Sequence, residues 1–172
     1  MKENWEDCFA RVLKHEGGFV DHPKDPGGMT NLGVTKANWE SFLGRAVTEA
    51  EMRALTPDVV KPFYKERFWD KMRCDDLPSG VDYAAYDFAV NSGVGRSSKF
   101  LQRIAGVPDD GVIGNKSIAA ICSIDPADVV NSLCDKRLEF LKALSTFPTF
   151  GRGWEIRVND VERIGTEMTK EA

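Results

Sequence analysis

The sequence predicts a mainly α fold, a helical bundle around one core with a small glycine-rich β-hairpin or loop lobe after the first helix. Three observations predict it. Apolar residues recur at steps of three and four through most of the chain, the period of a helix. Cap and stop signals (Thr35, Thr48, Thr56-Pro57, Gly106, Asp125-Pro126) divide that pattern into helix-sized pieces. Residues 17–34 alone break the rhythm, with Gly17, Gly18, Pro23, Pro26, Gly27, Gly28 and Gly33. At 172 residues the chain can bury one sizeable core. No repeat, low-complexity tract or linker separates domains, so a single domain over 1–172 is expected, with 1–70 as its N-terminal part and 71–172 as a helical part.

The first helix carries Trp5, Phe9, Val12, Leu13 and Glu16 on one stripe. Gly17 can turn left-handed past a helix end, which places Glu16 in the last turn. A carboxyl on the inward face, beside the negative end of a helix dipole, is hard to ionise. Holding a proton near neutral pH is what a general acid requires. In the lobe that follows, Met29, Leu32 and Val34 allow short extended pieces. Asp25 comes after eight intervening residues and Thr30 after four more. Two carboxylates facing across a cleft, with a hydroxyl to hold a water, are the parts of a glycoside hydrolase. Asp25 before Pro26 is also ordinary turn chemistry, and Thr30 an ordinary strand hydroxyl.

Thr35 caps a helix over 36–43 through Trp39, Phe42 and Leu43. Thr48 and Glu51 form a capping-box pattern for a short helix over 49–55. Thr56-Pro57 starts the next, through Val60, Phe63, Tyr64 and Phe68, with Pro62 either kinking it or marking its true start. Tyr64, Phe68 and Trp69 either line a sugar groove or pack the core. After a loop over 74–79, Ser79 caps a strongly apolar helix over 81–91, a candidate central helix with Val81, Ala84, Ala85, Phe88 and Ala89 inward. Asn91 at its end either bonds substrate acetamido or hydroxyl groups or closes the helix before Gly93. Tyr86 and Asp87 lie on neighbouring faces.

A helix over 97–105 stops at Gly106, and a turn over 107–114 leads into another over 116–122. Asp125-Pro126 opens a long amphipathic helix to about residue 144. An aromatic loop over 147–154 precedes a last helix with Ile156, Val158, Val161 and Ile164.

The chain is 42% hydrophobic and 29% charged, the balance of a soluble globular protein, and its net charge of −4 argues against nucleic acid as a partner. The N-terminus has no apolar run of signal-peptide length and nothing reads as a membrane span, so cytosolic synthesis, no stable membrane insertion and a holin-type or other release route are expected. Cys8, Cys74, Cys122 and Cys134 lack metal-type spacing; Cys8, Cys122 and Cys134 read as buried free thiols. With His15 and His22 the only histidines, neither metal nor cofactor is expected.

Glu16-Gly17-Gly18-Phe19, followed by Asp-Pro-Gly-Gly-Met-Thr-Asn-Leu-Gly-Val-Thr at 25–35, resembles the glycoside hydrolase family 108 muramidases, phage endolysins and related bacterial proteins. Phe19 stands where Tyr is frequent in the family. The stretch also resembles the Glu, Asp, Thr arrangement of phage-type lysozymes, where five residues rather than four separate Asp from Thr. Asp87-Phe88-Ala89-Val90-Asn91-Ser92-Gly93 and the Phe…Gly-Trp pattern at 147–154 match the family too, and Asp110-Gly111-Val112-Ile113-Gly114 resembles small peptidoglycan-binding modules.

The resemblance implies a lysozyme-like fold with a C-terminal peptidoglycan-binding region. It implies a monomeric N-acetylmuramidase cutting the β-1,4 bond between N-acetylmuramic acid and N-acetylglucosamine, with peptidoglycan glycan strands as partner. Glu16 is then the catalytic acid, Asp25 and Thr30 hold the water, and Asn91, Tyr86, Asp87 and Trp69 are candidates to bind substrate. Two alternatives stand beside it: a lytic transglycosylase using Glu16 alone, and a non-catalytic wall-binding or secretion-helper module.

Overall fold

The computed structural model describes residues 1–21 and 28–171. Among them the chain forms nine α-helices and one two-stranded antiparallel sheet, the mainly α architecture with a small hairpin that the sequence predicts. It divides into two compact units, Phe9–Arg67 and Met1–Cys8 with Phe68–Ala172. The boundary falls inside the first helix, α1 (Trp5–His15). No single helix among the described residues is long and apolar enough to cross a membrane.

In the unit Phe9–Arg67, the hairpin pairs β1 (Thr30–Asn31) with β2 (Val34–Thr35), Thr30 opposite Thr35 and Asn31 opposite Val34. Leu32 (φ 50°) and Gly33 (φ 75°) make the turn, and two left-handed central residues are the type I′ geometry whose twist suits a two-residue hairpin. β2 runs straight into α2 (Lys36–Leu43), where the Thr35 side chain caps Asn38 N–H and Gly44 closes the far end left-handed.

The capping box of α3 (Glu49–Arg53) is present in full, with Thr48 accepting from Glu51 N–H and Glu51 accepting from Thr48 N–H. The Arg45 guanidinium beside Glu51, with the Thr48 backbone, holds that carboxyl down at about 2. Thr56 and Pro57, not Pro62, mark the start of α4 (Pro57–Tyr64). Interior Pro62 has no N–H to donate; beyond it Lys65 N–H bonds the Lys61 and Pro62 carbonyls, and the helix widens into a π turn over Lys65–Trp69. Trp39, Phe42, Phe63, Tyr64 and Phe9 form a chain of ring contacts with centroids 5.4–6.1 Å apart. Each ring that is fully buried stabilises the unit by roughly 1.5–3 kcal/mol.

In the second unit α5 (Val81–Ser92) is the central helix, buried along all of Val81–Ala89. It packs against α6 (Val94–Ile104), α8 (Pro126–Lys142) and α9 (Phe147–Lys170), while α7 (Asn115–Cys122) lies against α6. Lys142 faces Glu155 and Asn131 faces Thr166, so α8 and α9 run antiparallel, as their short connection requires. Asp125 caps α8 as the sequence predicts, accepting from Ala127 and Asp128 N–H.

Three expectations are corrected here. Ser79 does not cap α5. Gly80 (φ 85°) occupies that position because a Cβ would collide with the Gly165 carbonyl of α9, and the Asp82 carboxylate accepts from Gly80 and Tyr83 N–H instead. Residues 147–154 are not a loop but the first turns of α9. Pro148 sits where a helix start tolerates it, and Gly151 lies against the Phe147 ring, so the apparent breakers serve the helix. Cys122 is exposed, whereas Cys8, Cys74 and Cys134 are buried, all four as free thiols. Burial pushes the Cys134 thiol up to about 12 and the Cys74 thiol also well above its ordinary value.

Candidate active site

α1 ends at His15, and Glu16 follows in a bend whose N–H still bonds the Leu13 carbonyl at 3.1 Å. Its side chain is half-buried against the tip of the hairpin. A Cβ built on Gly33 would collide with the Tyr64 hydroxyl and stand 2.7 Å from Glu16 Oε2 and 2.9 Å from its Cγ. Only a bare Cα lets carboxylate, hairpin tip and phenol meet, so Gly33 serves both the turn and the site. Tyr64 is fixed from two sides. Its hydroxyl donates to the Leu32 carbonyl at 2.7 Å, and its ring packs against Phe9 and Phe63 at 5.6 Å each.

The hairpin is fastened at three further points. Thr30 and Val20 exchange both backbone bonds at 2.8 Å. Asn31, buried, donates from Nδ2 to the Met52 carbonyl of α3 at 2.8 Å. Lys36 N–H bonds the Met29 carbonyl. Beside it the Arg53 guanidinium lies 3.9 Å over the Phe19 ring, so the aromatic of the Glu-Gly-Gly-Phe motif has a cation on its face. Glu16 is thereby presented by a rigid helix end and by a turn that is pinned rather than hanging free.

Of the other residues that the sequence singles out, Thr30 is half-buried on β1 in the same unit as Glu16. Asp25 and His22 lie outside the described residues. Trp69, Tyr86, Asp87 and Asn91 belong to the other unit. Trp69 and Tyr86 have no exposed surface; Tyr86 packs edge to face on both Trp69 and Trp5, and Trp69 lies tilted on Trp5. Asp87, also fully buried, accepts from Arg137 at 2.7 Å and from Arg157 at 3.0 Å. Burial alone pushes its carboxyl up, but the Arg137 and Arg157 charges outweigh it and hold the group below the ordinary range.

Side chains with no exposed surface have none to lay against a sugar: in this structure Asp87 ties α5 to α8 and α9, and Trp69 and Tyr86 pack the core with Trp5, in place of the substrate contact expected of them. Asn91 is half-buried near the end of α5, its Oδ1 accepting from the Ser92 hydroxyl at 2.9 Å. Among the described residues no three His, Cys, Asp or Glu side chains cluster as metal ligands.

In the sequence Gly33 reads as a breaker, and Tyr64 stands open between groove and core. The signal for the first was the Asn-Leu-Gly-Val tetrapeptide, a two-residue turn with glycine at its second central position. Nothing in the spacing pairs Tyr64 with Leu32, because that bond joins elements 32 residues apart.

Comparison with known proteins gives this geometry its context. The family model for glycosyl hydrolase 108 matches residues 9–93, and that for a predicted peptidoglycan domain matches residues 96–159. No curated relative matches the chain. Among solved structures, SagA of Brucella abortus is similar at 46% identity and a TM-score of 0.89, over 98% of this chain and 97% of that one. The first match covers Glu16, the hairpin and Tyr64, and the second most of the remaining helices. The chain therefore belongs to glycosyl hydrolase family 108, and it is a peptidoglycan-related glycoside hydrolase.

Proposed function

We propose that the protein is an N-acetylmuramidase, hydrolysing the β-1,4 bond between N-acetylmuramic acid and N-acetylglucosamine with Glu16 as general acid. The observation that carries this reading is the seat of Glu16, a half-buried carboxylate at the end of α1 held against Gly33 beside the Tyr64 hydroxyl. Glu16 gives its proton to the glycosidic oxygen as that bond breaks. A water attacks the anomeric carbon, oriented by Thr30 and giving its proton to Asp25, and the sugar leaves with a reducing end. Carboxyls roughly 6.5–9.5 Å apart leave room for that water and invert the anomeric centre, whereas about 5 Å places the second as a nucleophile and retains it.

The test is Glu16→Gln, an isostere without the exchangeable acidic proton. The variant is expected to fold as the parent does and to lose clearing of a peptidoglycan suspension. Mass spectrometry of fragments released by the parent should find reducing muramic ends. Anhydro-muramic ends would replace hydrolysis by a transglycosylase course, and undiminished clearing by the variant would remove Glu16 from the chemistry.

A further inference from the structure

A groove of about 300 Å³ lies on the first turns of α6, lined by Gly95, Arg96, Lys99, Phe100 and Arg103. The protein carries a net charge of −4, yet this groove gathers three cations at helical spacing. Asp109 pairs with Arg103 at 2.6 Å. Arg96 and Lys99 have no carboxylate partner among the described residues; Lys99 acts on Asp109 only at a distance. The Arg96 guanidinium carbon lies 4.3 Å from the centroid of the Phe140 ring, and Nη1 donates one bond to the Ser92 carbonyl. A planar cation backed by a ring, with its outer edge exposed, is set up to receive a carboxylate.

The helix itself adds to this. Gly93 at its N-cap offers no side-chain acceptor, and no acidic residue stands in its first turn. No side chain there offsets the positive end of the α6 dipole, at the end of the helix where Gly95 and Arg96 line the groove. Phe100, packed on Phe88 and Phe140, forms an apolar wall beside the charges.

We infer that this groove holds the carboxylate-bearing stem peptide of peptidoglycan, with Arg96 and Lys99 taking its acidic groups and Phe100 its aliphatic side chains. The chemistry favours the peptide over the sugars. Glycan hydroxyls and acetamides gain little from unpaired cations, whereas stem peptides combine free carboxylates with short apolar side chains. The groove lies where the predicted peptidoglycan domain begins, at residue 96. The inference rests on peptidoglycan as the substrate, as the proposed function does, and not on the role of Glu16.

The test titrates the 172-residue protein with N-acetylglucosaminyl-N-acetylmuramyl-tetrapeptide, which contains no muramyl-to-glucosaminyl bond to be cut, and with the same disaccharide after removal of its peptide. The tetrapeptide compound is expected to bind at least about tenfold more tightly, the scale of one charge-assisted contact, and to weaken as salt rises. R96A/K99A should abolish that preference with an unchanged melting temperature. K99E reverses the charge of an exposed side chain and should weaken the binding even if the double variant misfolds. Equal binding of the two compounds, tetrapeptide affinity unchanged in K99E, or equal displacement of the tetrapeptide by polyphosphate would each overturn the inference. Product mass spectrometry is independent of this titration, so a failed muramidase reading leaves the binding result standing, and the reverse.

Discussion

Gly33→Ala tests the construction of the site directly. The substitution meets two separate obstacles. At φ 75° an L-residue pays roughly 1–2 kcal/mol for the left-handed conformation. Its Cβ would also collide with the Tyr64 hydroxyl and press on the Glu16 carboxylate, and overpacking of that kind costs about 1–3 kcal/mol. Together they predict a loss of about 2–5 kcal/mol, at about 2–4 °C per kcal/mol for a chain of this size.

Gly44→Ala is the control, because Gly44 has φ 69° and nothing within 4 Å of a built Cβ. It should lose only the conformational part, roughly 1–2 kcal/mol. Urea denaturation of the two variants against the parent isolates the collision. Hydrolysis of peptidoglycan by the folded fraction reads the second consequence, since a displacement of the acid by about 1 Å costs on the order of 10²-fold in rate. Two variants equally destabilised, with Gly33→Ala fully active, would refute the claim that this glycine seats Glu16.

Three further outcomes are expected. Tyr64→Phe deletes the bond to the Leu32 carbonyl at 2.7 Å, so stability should fall by about 1 kcal/mol, with a larger proportional loss of activity than melting accounts for. Asp87→Asn leaves Arg137 and Arg157 buried without their carboxylate and should cost about 3–5 kcal/mol by chemical denaturation. Because the folded Asp87 carboxyl titrates below its unfolded value, its contribution is full above the ordinary carboxylate range and is lost as pH falls through the folded value. The variant's stability should therefore depend less on pH in acid than the parent's. Native protein treated with a thiol reagent should label at Cys122 alone, with Cys8, Cys74 and Cys134 reacting only after unfolding, as peptide mapping would read.

Much of the fold was legible because it is local. Thr35, Thr48 with Glu51, Thr56-Pro57 and Asp125-Pro126 start helices through bonds that reach two or three residues along the chain, and each caps where expected. Where those rules failed, a distant partner decided. Ser79 lost its capping role because Gly165 approaches Gly80 too closely for a side chain, and Asp82 supplies the acceptor. Residues 147–154 carry Pro148, Gly151 and Gly153, which in isolation read as a loop, yet the Phe147 ring lies against Gly151 and the whole stretch belongs to α9. Cys122 sits in an apolar stretch, and only the orientation of a short helix leaves it exposed.

By itself the sequence determined the helical architecture, the hairpin after α1, and the placing of Glu16 where that helix ends, because periodicity, caps and glycines act over a few residues. Tertiary structure alone decided what surrounds them. It set Gly33 against the carboxylate, fixed Tyr64 through Leu32, buried Trp69, Tyr86 and Asp87, and left Arg96 and Lys99 on α6 without a carboxylate partner among the described residues. The physical reason is reach. A turn is chosen by its own residues, whereas burial and charge pairing depend on groups tens of residues away, which the chain brings together only when it folds.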